Sequence, residues 1–291
     1  MTRRPPHRRA RHTPGWWIGR ASVHVIVAIF MIVWFTPILG LFVTSLRNQS
    51  DMAVSGWWIA FINPMLTGYN YQKAIQYVGV GSSAATSLAI AVPVTVMTAL
   101  ISAIGAFALT RMEFRARKLL SLALVAMLVI PPQLTIVPLL KLFVRIGMNG
   151  TVPAVWIYQV GFTVPFGIFL IRGFISSIPE ELFESAEIDG ASVHQIFRSI
   201  VLPLCAPILA SLAILQFLWS WNDLLIPLIF LGGSRLAAPI TVQAAGIATT
   251  NGQDQTVLMA ATFLSVLLPL IILLSMQRYF VRGILGGAVK G

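Results

Sequence analysis

The sequence predicts an all-α membrane protein with about six transmembrane helices and both termini in the cytoplasm. The first observation is composition, because 57% of the 291 residues are hydrophobic and only 10% are charged. An average soluble domain has roughly 25% charged residues, so this chain has too few to cover a water-exposed surface. The other two observations are the long apolar segments and the position of the basic residues between them.

Six segments are long and apolar enough for spanning helices, which need about 20 mostly apolar residues each. They are 22–46, 84–110, 119–140, 153–175, 200–231 and 258–280. The fifth is long for one crossing, so we expect a cytoplasmic lead-in near Leu202 and Pro203 or a tilted helix. The predicted division is a basic tail 1–21, a first helix 22–46, an extracytoplasmic segment 47–83, a transmembrane domain 84–280 that contains a loop 177–203, and a C-terminal tail 281–291.

The basic residues set the predicted orientation. With the N-terminus inside, fifteen of the 20 Lys and Arg residues lie in cytoplasmic segments. Short cytoplasmic loops of membrane proteins carry an excess of Lys and Arg. The same pattern argues against nucleic-acid binding, because the basic residues form short clusters between apolar runs instead of a basic surface.

Several chemistries find no support in the sequence. Cys205 is the only cysteine and the four histidines are scattered, so we expect no disulfide, no metal site and no catalytic residues. The chain has no Gly-x-x-x-x-Gly-Lys-Ser/Thr phosphate-binding loop. We therefore expect any ATP hydrolysis to take place on another protein.

Five of the nine acidic residues lie in one short window between the fourth and fifth predicted spans. They are Glu180, Glu181, Glu184, Glu187 and Asp189. Ser177 and Ser192 each stand three residues before a Glu or Gln, the pattern of a capping box at the start of a helix. Gly190 indicates a turn between the two helices. The window predicts a short cytoplasmic helical hairpin, and its charges alone would also fit a solvated connector.

The hairpin contains an ordered set of small, acidic and apolar residues. They are Glu184, Ser185, Ala186, Asp189, Gly190, Ala191, Phe197, Ile200, Leu202, Pro203 and Pro207. This set resembles the EAA loop of bacterial ATP-binding-cassette importer permeases. The resemblance implies the type I importer permease fold, with coupling helices that dock in a cleft of an ATPase subunit. Ser185 stands where the family usually has Ala, and we expect docking to tolerate this small side chain.

Two other stretches resemble carbohydrate importers within the same family. Trp221, Asn222 and Asp223, followed by Pro227, resemble the fifth-span pattern of these importers. The C-terminal residues resemble the ATPase-contacting tail of the second permease subunit of maltose-type importers: Gly287, Ala288, Val289, Lys290 and Gly291. The implied partners are a second homologous permease subunit, two ATP-binding subunits that hold ATP and Mg²⁺, an extracytoplasmic sugar-binding protein and membrane lipid. The chain itself would need no cofactor and would lie in the cytoplasmic membrane as a multi-pass protein.

Polar and aromatic residues inside the spans are candidates for substrate contact, because ionisable groups in a membrane are usually functional and aromatic faces suit sugar rings. They are Asn222, Asp223, Trp219, Trp221, Gln133, Tyr158 and Gln159. Asn222 and Asp223 could instead bind backbone groups freed by Pro227. The predicted function is sugar import, of an oligosaccharide or glucoside, by ATP-driven alternating access. The alternative is a gradient-driven secondary transporter, a class that tends to show paired repeats and intramembrane charges.

Overall fold

A computed structural model describes residues 14–76, 79–232, 238–250 and 255–288. Five helical stretches within these ranges are long and apolar enough to cross a bilayer: Ser22–Ser45, Val80–Arg111, Val152–Ile175, Val193–Asn222 and Gln255–Ser275. A bent helix pair, Arg117–Val129 and Pro132–Arg145, raises the number to six if the pair counts as one span. The described chain is therefore a polytopic bundle of apolar helices.

The helices are numbered in chain order. The long ones are α1 (Pro14–Ser45), α4 (Val80–Arg111), α7 (Val152–Ile175), α10 (Leu202–Asn222) and α13 (Gln255–Ala288). The shorter ones are α2 (Gln49–Val54), α3 (Tyr69–Gln76), α5 (Arg117–Val129), α6 (Ile136–Arg145), α8 (Glu180–Ile188), α9 (Val193–Ile196), α11 (Leu225–Phe230) and α12 (Ile240–Thr250). Two 3₁₀ turns, Trp57–Phe61 and Pro132–Thr135, and one π turn, Phe197–Val201, complete the described elements.

The third predicted span, 119–140, is a bent pair of helices and not one continuous helix. Helix α5 ends at Val129, and the chain resumes as the turn Pro132–Thr135 and α6 at an angle of 99°. Proline lacks a backbone N–H and disfavours helical geometry in the residue before it. Two adjacent prolines therefore interrupt the helix, and Pro131 adopts an extended backbone with ψ of 125°.

The fifth predicted span, 200–231, is wrong at its C-terminal end. Helix α10 stops at Asn222, Asp223 is extended with ψ of 120°, and α11 follows as a separate helix. At the other end the helical path is continuous from α9 through the π turn into α10. Pro203 lies inside this continuous path, directly after the π turn, so its missing N–H leaves a carbonyl of the preceding turn without a helical hydrogen bond.

Helices α4, α7 and α10 form the centre of the bundle, and α13 packs on α10 and α1. Gly167 of α7 lies at a close crossing, because an added Cβ there would lie 2.8 Å from Cβ of Ser102 and 3.0 Å from Cδ2 of Leu212. Ser102 is on α4 and Leu212 is on α10, so this glycine allows three helices to meet. Small residues at such crossings are typical of membrane helix bundles, where packing replaces the hydrophobic effect.

The segment between α1 and α4 is fixed to the bundle by a buried polar cluster that the sequence did not predict. The Arg47 guanidinium is only 4% exposed and donates to the carbonyl oxygens of Asp51, Ser55 and Gly56. The buried Asn70 amide donates to the carbonyl oxygens of Ser45 and Arg47 at 2.8 Å. Arg47 lies at the start of the predicted extracytoplasmic segment 47–83, and its hydrogen bonds order this segment.

Candidate coupling hairpin and transport cleft

The predicted hairpin is present as α8, a turn and α9. Gly190 makes the turn with φ of +77°, a left-handed conformation that side chains other than glycine rarely adopt. The capping box at Ser192 is confirmed, because its hydroxyl accepts from the Gln195 N–H while Gln195 Oε1 accepts from the Ser192 N–H at 2.7 Å. The capping box predicted at Ser177 is wrong: α8 starts directly after Pro179, and the Ser177 hydroxyl donates to the Phe174 carbonyl.

The hairpin is packed against the bundle and is not a loose connector. Phe183 of α8 is 1% exposed and belongs to a hydrophobic cluster with Phe107 of α4, Ile196 of α9 and Val201 of the π turn. Burying a phenylalanine removes a large apolar area from water. The cluster therefore packs the hairpin against the ends of α4 and α10, so a displacement of the hairpin also moves these two helices.

Arg111, at the end of α4, fixes the start of α8. Its guanidinium donates two hydrogen bonds to the Glu180 carboxylate, at 2.6 and 2.8 Å, and lies 3.9 Å from the centre of the Phe183 ring. The hydrogen bond from Arg111 holds the pKa of the Glu180 carboxyl below its ordinary value of 4.5. Because that pKa is lowered in the folded chain, the pair is fully charged at neutral pH and is lost only as the pH falls through the lowered value.

The predicted coupling residues divide equally between the exposed surface of the hairpin and its contact with the bundle. Those that are exposed are Glu184, Ser185, Asp189, Gly190 and Pro203. Those that are half-buried are Ala186, Ala191, Phe197, Ile200 and Leu202. Ile188 was not predicted as a site residue, yet its side chain is 86% exposed at the tip of α8. An exposed apolar tip with acidic neighbours and small residues fits a surface that another protein covers.

Reversing the charges of the Arg111–Glu180 pair is expected to reveal whether this contact positions the hairpin. Arg111→Glu or Glu180→Arg alone should lower ATPase stimulation by less than about fivefold, because the contact is a solvent-exposed ion pair. The double swap should restore part of the loss, but not all of it, because Arg111 also contacts the Phe183 ring. ATP turnover of the assembled transporter measures both effects, and a double swap no better than the single reversals would contradict the positioning role.

A cleft of about 240 Å³ lies between α7, the C-terminal half of α10, and the turn before α6. Its walls combine polar and aromatic side chains. They are Pro132, Gln133, Ile136, Tyr158, Gln159, Phe162, Thr163, Gln216, Trp219, Ser220, Asp223, Leu225 and Ile226. Gln159 is sixteen residues from the end of α7 at Ile175, about 24 Å at 1.5 Å per residue, so the cleft lies far from the hairpin.

Gln159 and Asp223 join two helices across this cleft. Gln159 Nε2 donates to Asp223 Oδ2 at 2.8 Å, and Gln159 Oε1 accepts from the Ser220 hydroxyl at 2.6 Å. The other carboxylate oxygen of Asp223 accepts from the Ile226 N–H at 3.2 Å, inside the first turn of α11. The Asp223 carboxylate therefore caps the first turn of α11, and the carbonyl that Pro227 frees, that of Asp223, accepts from the Thr241 hydroxyl at 2.9 Å.

Five of the seven sequence candidates for substrate contact line the cleft: Gln133, Tyr158, Gln159, Trp219 and Asp223. The other two do not. Trp221 is 2% exposed, and its indole N–H donates to the Ser265 carbonyl of α13. Asn222 is exposed and donates to the Leu218 carbonyl of its own helix. Gln216 and Ser220 line the cleft but were not predicted as site residues. Both are polar residues inside an apolar span, so the sequence pattern could have identified them.

The predicted ATPase-contacting tail falls at the edge of the described chain. The backbone of Gly287 and Ala288 continues α13, and Val289, Lys290 and Gly291 lie outside the described residues. The metal prediction can be compared with the described part only, where no group of three or more His, Cys, Asp and Glu residues is arranged to hold an ion.

A polytopic helical bundle with a packed hairpin at one end and a polar cleft between its helices is the architecture of a membrane transport subunit. Residues 100–286 match the family described as the binding-protein-dependent transport system inner membrane component. The chain belongs to this family.

Curated relatives span nearly the whole chain. The osmoprotective compounds uptake permease protein GgtD of Synechocystis is 40% identical over 96% of this chain and 95% of its own length. The alpha-glucoside transport system permease protein AglG of Rhizobium meliloti is 30% identical over 97% of this chain and 99% of its own. The fold is shared with a bacterial ABC transporter involved in import of the acidic polysaccharide alginate, at a TM-score of 0.75 and 21% identity over 93% of this chain and 99% of that one.

These likenesses confirm the predicted membership of the ATP-binding-cassette importer permeases and the all-α membrane fold. The chain is a permease subunit of such an importer, and it is a multi-pass membrane protein. The family match includes the hairpin, the cleft and most of α13.

Proposed function

We propose that this permease carries a sugar, a glucoside or a short oligosaccharide across the cytoplasmic membrane by alternating access, driven by ATP hydrolysis on a partner. The observation that carries the mechanism is the hairpin 177–203, which is anchored inward by Phe183 and presents an exposed acidic and small-residue surface outward. Such an element can transmit the movement of a docked protein to α4 and α10, to which it is packed. The names of the relatives GgtD and AglG support a sugar or a related compatible solute as cargo.

The proposed assembly lies in membrane lipid and has three kinds of protein partner. A second, homologous permease subunit completes the pathway as a heterodimer. Two ATP-binding subunits, which hold ATP and Mg²⁺, dock on the hairpin and on the tail 287–291. An extracytoplasmic binding protein delivers the sugar, and a bacterial alginate transporter of the same fold has been solved in complex with an alginate pentasaccharide-bound periplasmic protein. This chain contributes no catalytic residue and no cofactor site.

The cycle follows from population shift. ATP closes the ATPase dimer, the hairpin moves with the surface on which it is docked, and the bundle changes from inward-facing to outward-facing. The ATPase can shift this equilibrium only as far as its affinities for the two states differ. In this proposal the cleft between α7 and α10 is part of the sugar pathway, and the bent α5–α6 pair beside it is a wall that can move.

The proposal is tested by uptake into proteoliposomes that contain the full transporter, with ATP and Mg²⁺ inside and the binding protein outside. Radiolabelled trehalose, melibiose and an α-glucoside serve as cargo probes. We expect uptake of at least one of them to require internal ATP and to persist when a protonophore collapses the proton gradient. Uptake that needs a proton or sodium gradient and no ATP would instead establish the secondary-transporter alternative.

A further inference from the structure

The cleft contains a buried acceptor that has no hydrogen-bond partner. Gln216 is 1% exposed and lines the cleft, and its Oε1 is the one buried side-chain N or O atom without a partner in the described part of the chain. This oxygen has less than 1 Å² of accessible surface, so it lies inside the wall of the cleft and not at its open face.

The hydroxyl protons of the cleft are already committed to the protein. Tyr158 Oη donates to the Pro132 carbonyl at 2.7 Å, and the Thr163 hydroxyl donates to the Gln159 carbonyl at 2.8 Å. The Ser220 hydroxyl donates to Gln159 Oε1 at 2.6 Å. A ligand in the cleft therefore meets acceptors more readily than it meets hydroxyl donors.

The charge of the cleft has one sign. Asp223 supplies the single carboxylate among the lining residues, and the lining contains no Lys, Arg or His. The carboxylate accepts from Gln159 Nε2 and from the Ile226 N–H, so its position in the wall is fixed. A ligand that brought its own carboxylate would face Asp223 without a cation to compensate, in a low-dielectric surrounding where like charges repel strongly.

We infer that this cleft selects its cargo by charge. It takes a neutral ligand such as a polyhydroxyl compound and excludes acidic sugars, with Asp223 setting the charge of the wall. Trp219, which is half exposed at the cleft, offers a ring face for the apolar side of a sugar ring. The inference rests on the proposed function because it takes the cleft as part of the sugar pathway.

A reporter cysteine at the cleft tests the charge without knowledge of the cargo. Gln133 is exposed and lines the cleft, and the buried Cys205 can be replaced first to give a Cys205→Ser background. Gln133→Cys in the full transporter is reacted with methanethiosulfonate reagents that carry an ethylammonium or an ethylsulfonate group. The rate of each reagent at the introduced cysteine is divided by the rate of the same reagent with a small free thiol. This division removes the difference in intrinsic reactivity between the two reagents.

We expect the cationic reagent to react at least about fivefold faster after this correction. A unit charge at about 8 Å changes the local concentration of each reagent about twofold in opposite directions, even with the screening of bulk water. Asp223→Asn should bring the ratio close to one. Gln216→Glu, which adds a carboxylate of the same size at the unpaired acceptor, should raise the ratio above that of the parent, so the prediction is checked in both directions.

Three results would overturn the inference: a ratio near one in the parent, a ratio that neither variant changes, or a reporter that neither reagent reaches. Since the labelling needs no transport, its result separates from the uptake experiment. ATP-driven uptake with a flat labelling ratio would retain the proposed function and remove the charge selection. A labelling ratio that favours the cationic reagent, in a protein that transports only with an ion gradient, would retain the charge selection and remove the proposed function.

Discussion

A Gly190→Pro chain is expected to insert and assemble in the membrane but to lose at least about tenfold of the substrate-stimulated ATP hydrolysis of the transporter. Gly190 has φ of +77°, and its N–H donates to the Glu187 carbonyl at 3.0 Å. Proline fixes φ near −65° and has no N–H, so the turn between α8 and α9 must change. Strain of this kind costs about 1–3 kcal/mol, the range in which a tenfold change in an equilibrium is produced.

The matched control is Gly147→Pro. Gly147 also follows a helix, has φ of +73°, and donates its N–H to the Val144 carbonyl at 3.2 Å. It lies after α6, in a loop predicted to be extracytoplasmic, so the same backbone change occurs away from the proposed ATPase surface. We expect Gly147→Pro to retain coupling, and equal losses in the two variants would show that general destabilisation explains both.

A side-chain variant separates the docking surface from the turn. Glu184→Lys leaves the backbone of α8 unchanged and reverses one exposed charge on the outward surface of the hairpin. It is expected to lower ATPase stimulation while membrane insertion and thermal stability stay as in the parent. Normal stimulation in both Glu184→Lys and Gly190→Pro would refute the coupling role of the hairpin.

Features that depend on neighbouring residues could be predicted from the sequence. The turn at Gly190 and the capping box at Ser192 need only a few adjacent residues, and both were found. The capping box at Ser177 has the same pattern but does not form, because Pro179 directly before α8 and the end of α7 at Ile175 set a different backbone path. The packing of Phe183 under Arg111 depends on residues far apart in the chain, and local patterns do not contain it.

Hydropathy predicts that a segment is apolar but not where its helix breaks. Pro93 and Pro165 lie inside continuous helices, whereas Pro131 ends one and Asp223 ends another. All four lie in segments that read as single spans. Whether a helix continues through such a residue depends on which neighbours accept or supply the freed backbone hydrogen bonds, which is a tertiary property.

The cleft was partly predictable because polar residues within apolar spans are conspicuous. Gln159 and Asp223 were each identified alone, but the hydrogen bond that joins them spans 64 residues of sequence. Successive residues of a helix point about 100° apart, so Trp221 faces α13 while Ser220 faces the cleft. The sequence therefore identified the region, and the helix rotation decided which side chains enter it.

Gly167→Val is expected to reduce the amount of folded permease more than any other substitution considered above. An added Cβ at Gly167 meets Ser102 of α4 and Leu212 of α10 inside 3.1 Å, and the Ser102 contact includes Cβ, which moves only with the helix backbone. Relief requires the three central helices to separate, and overpacking of this kind costs about 1–3 kcal/mol or more. The measurement is the yield and thermal unfolding of the detergent-extracted transporter.

Gly161→Val provides the matched comparison, because Gly161 lies on the same helix with nothing within 4 Å of the position of its added Cβ. Both substitutions replace a glycine of α7 by the same β-branched side chain, so helix propensity changes equally. The two variants differ in that only the side chain added at Gly167 forces α4, α7 and α10 apart. Gly161→Val should retain the thermal stability of the parent, and equal loss in the two variants would mean that the close crossing at Gly167 does not hold the bundle together. The close crossing lies between the hairpin and the cleft along α7, so we expect a partly folded Gly167→Val transporter to hydrolyse ATP without moving sugar.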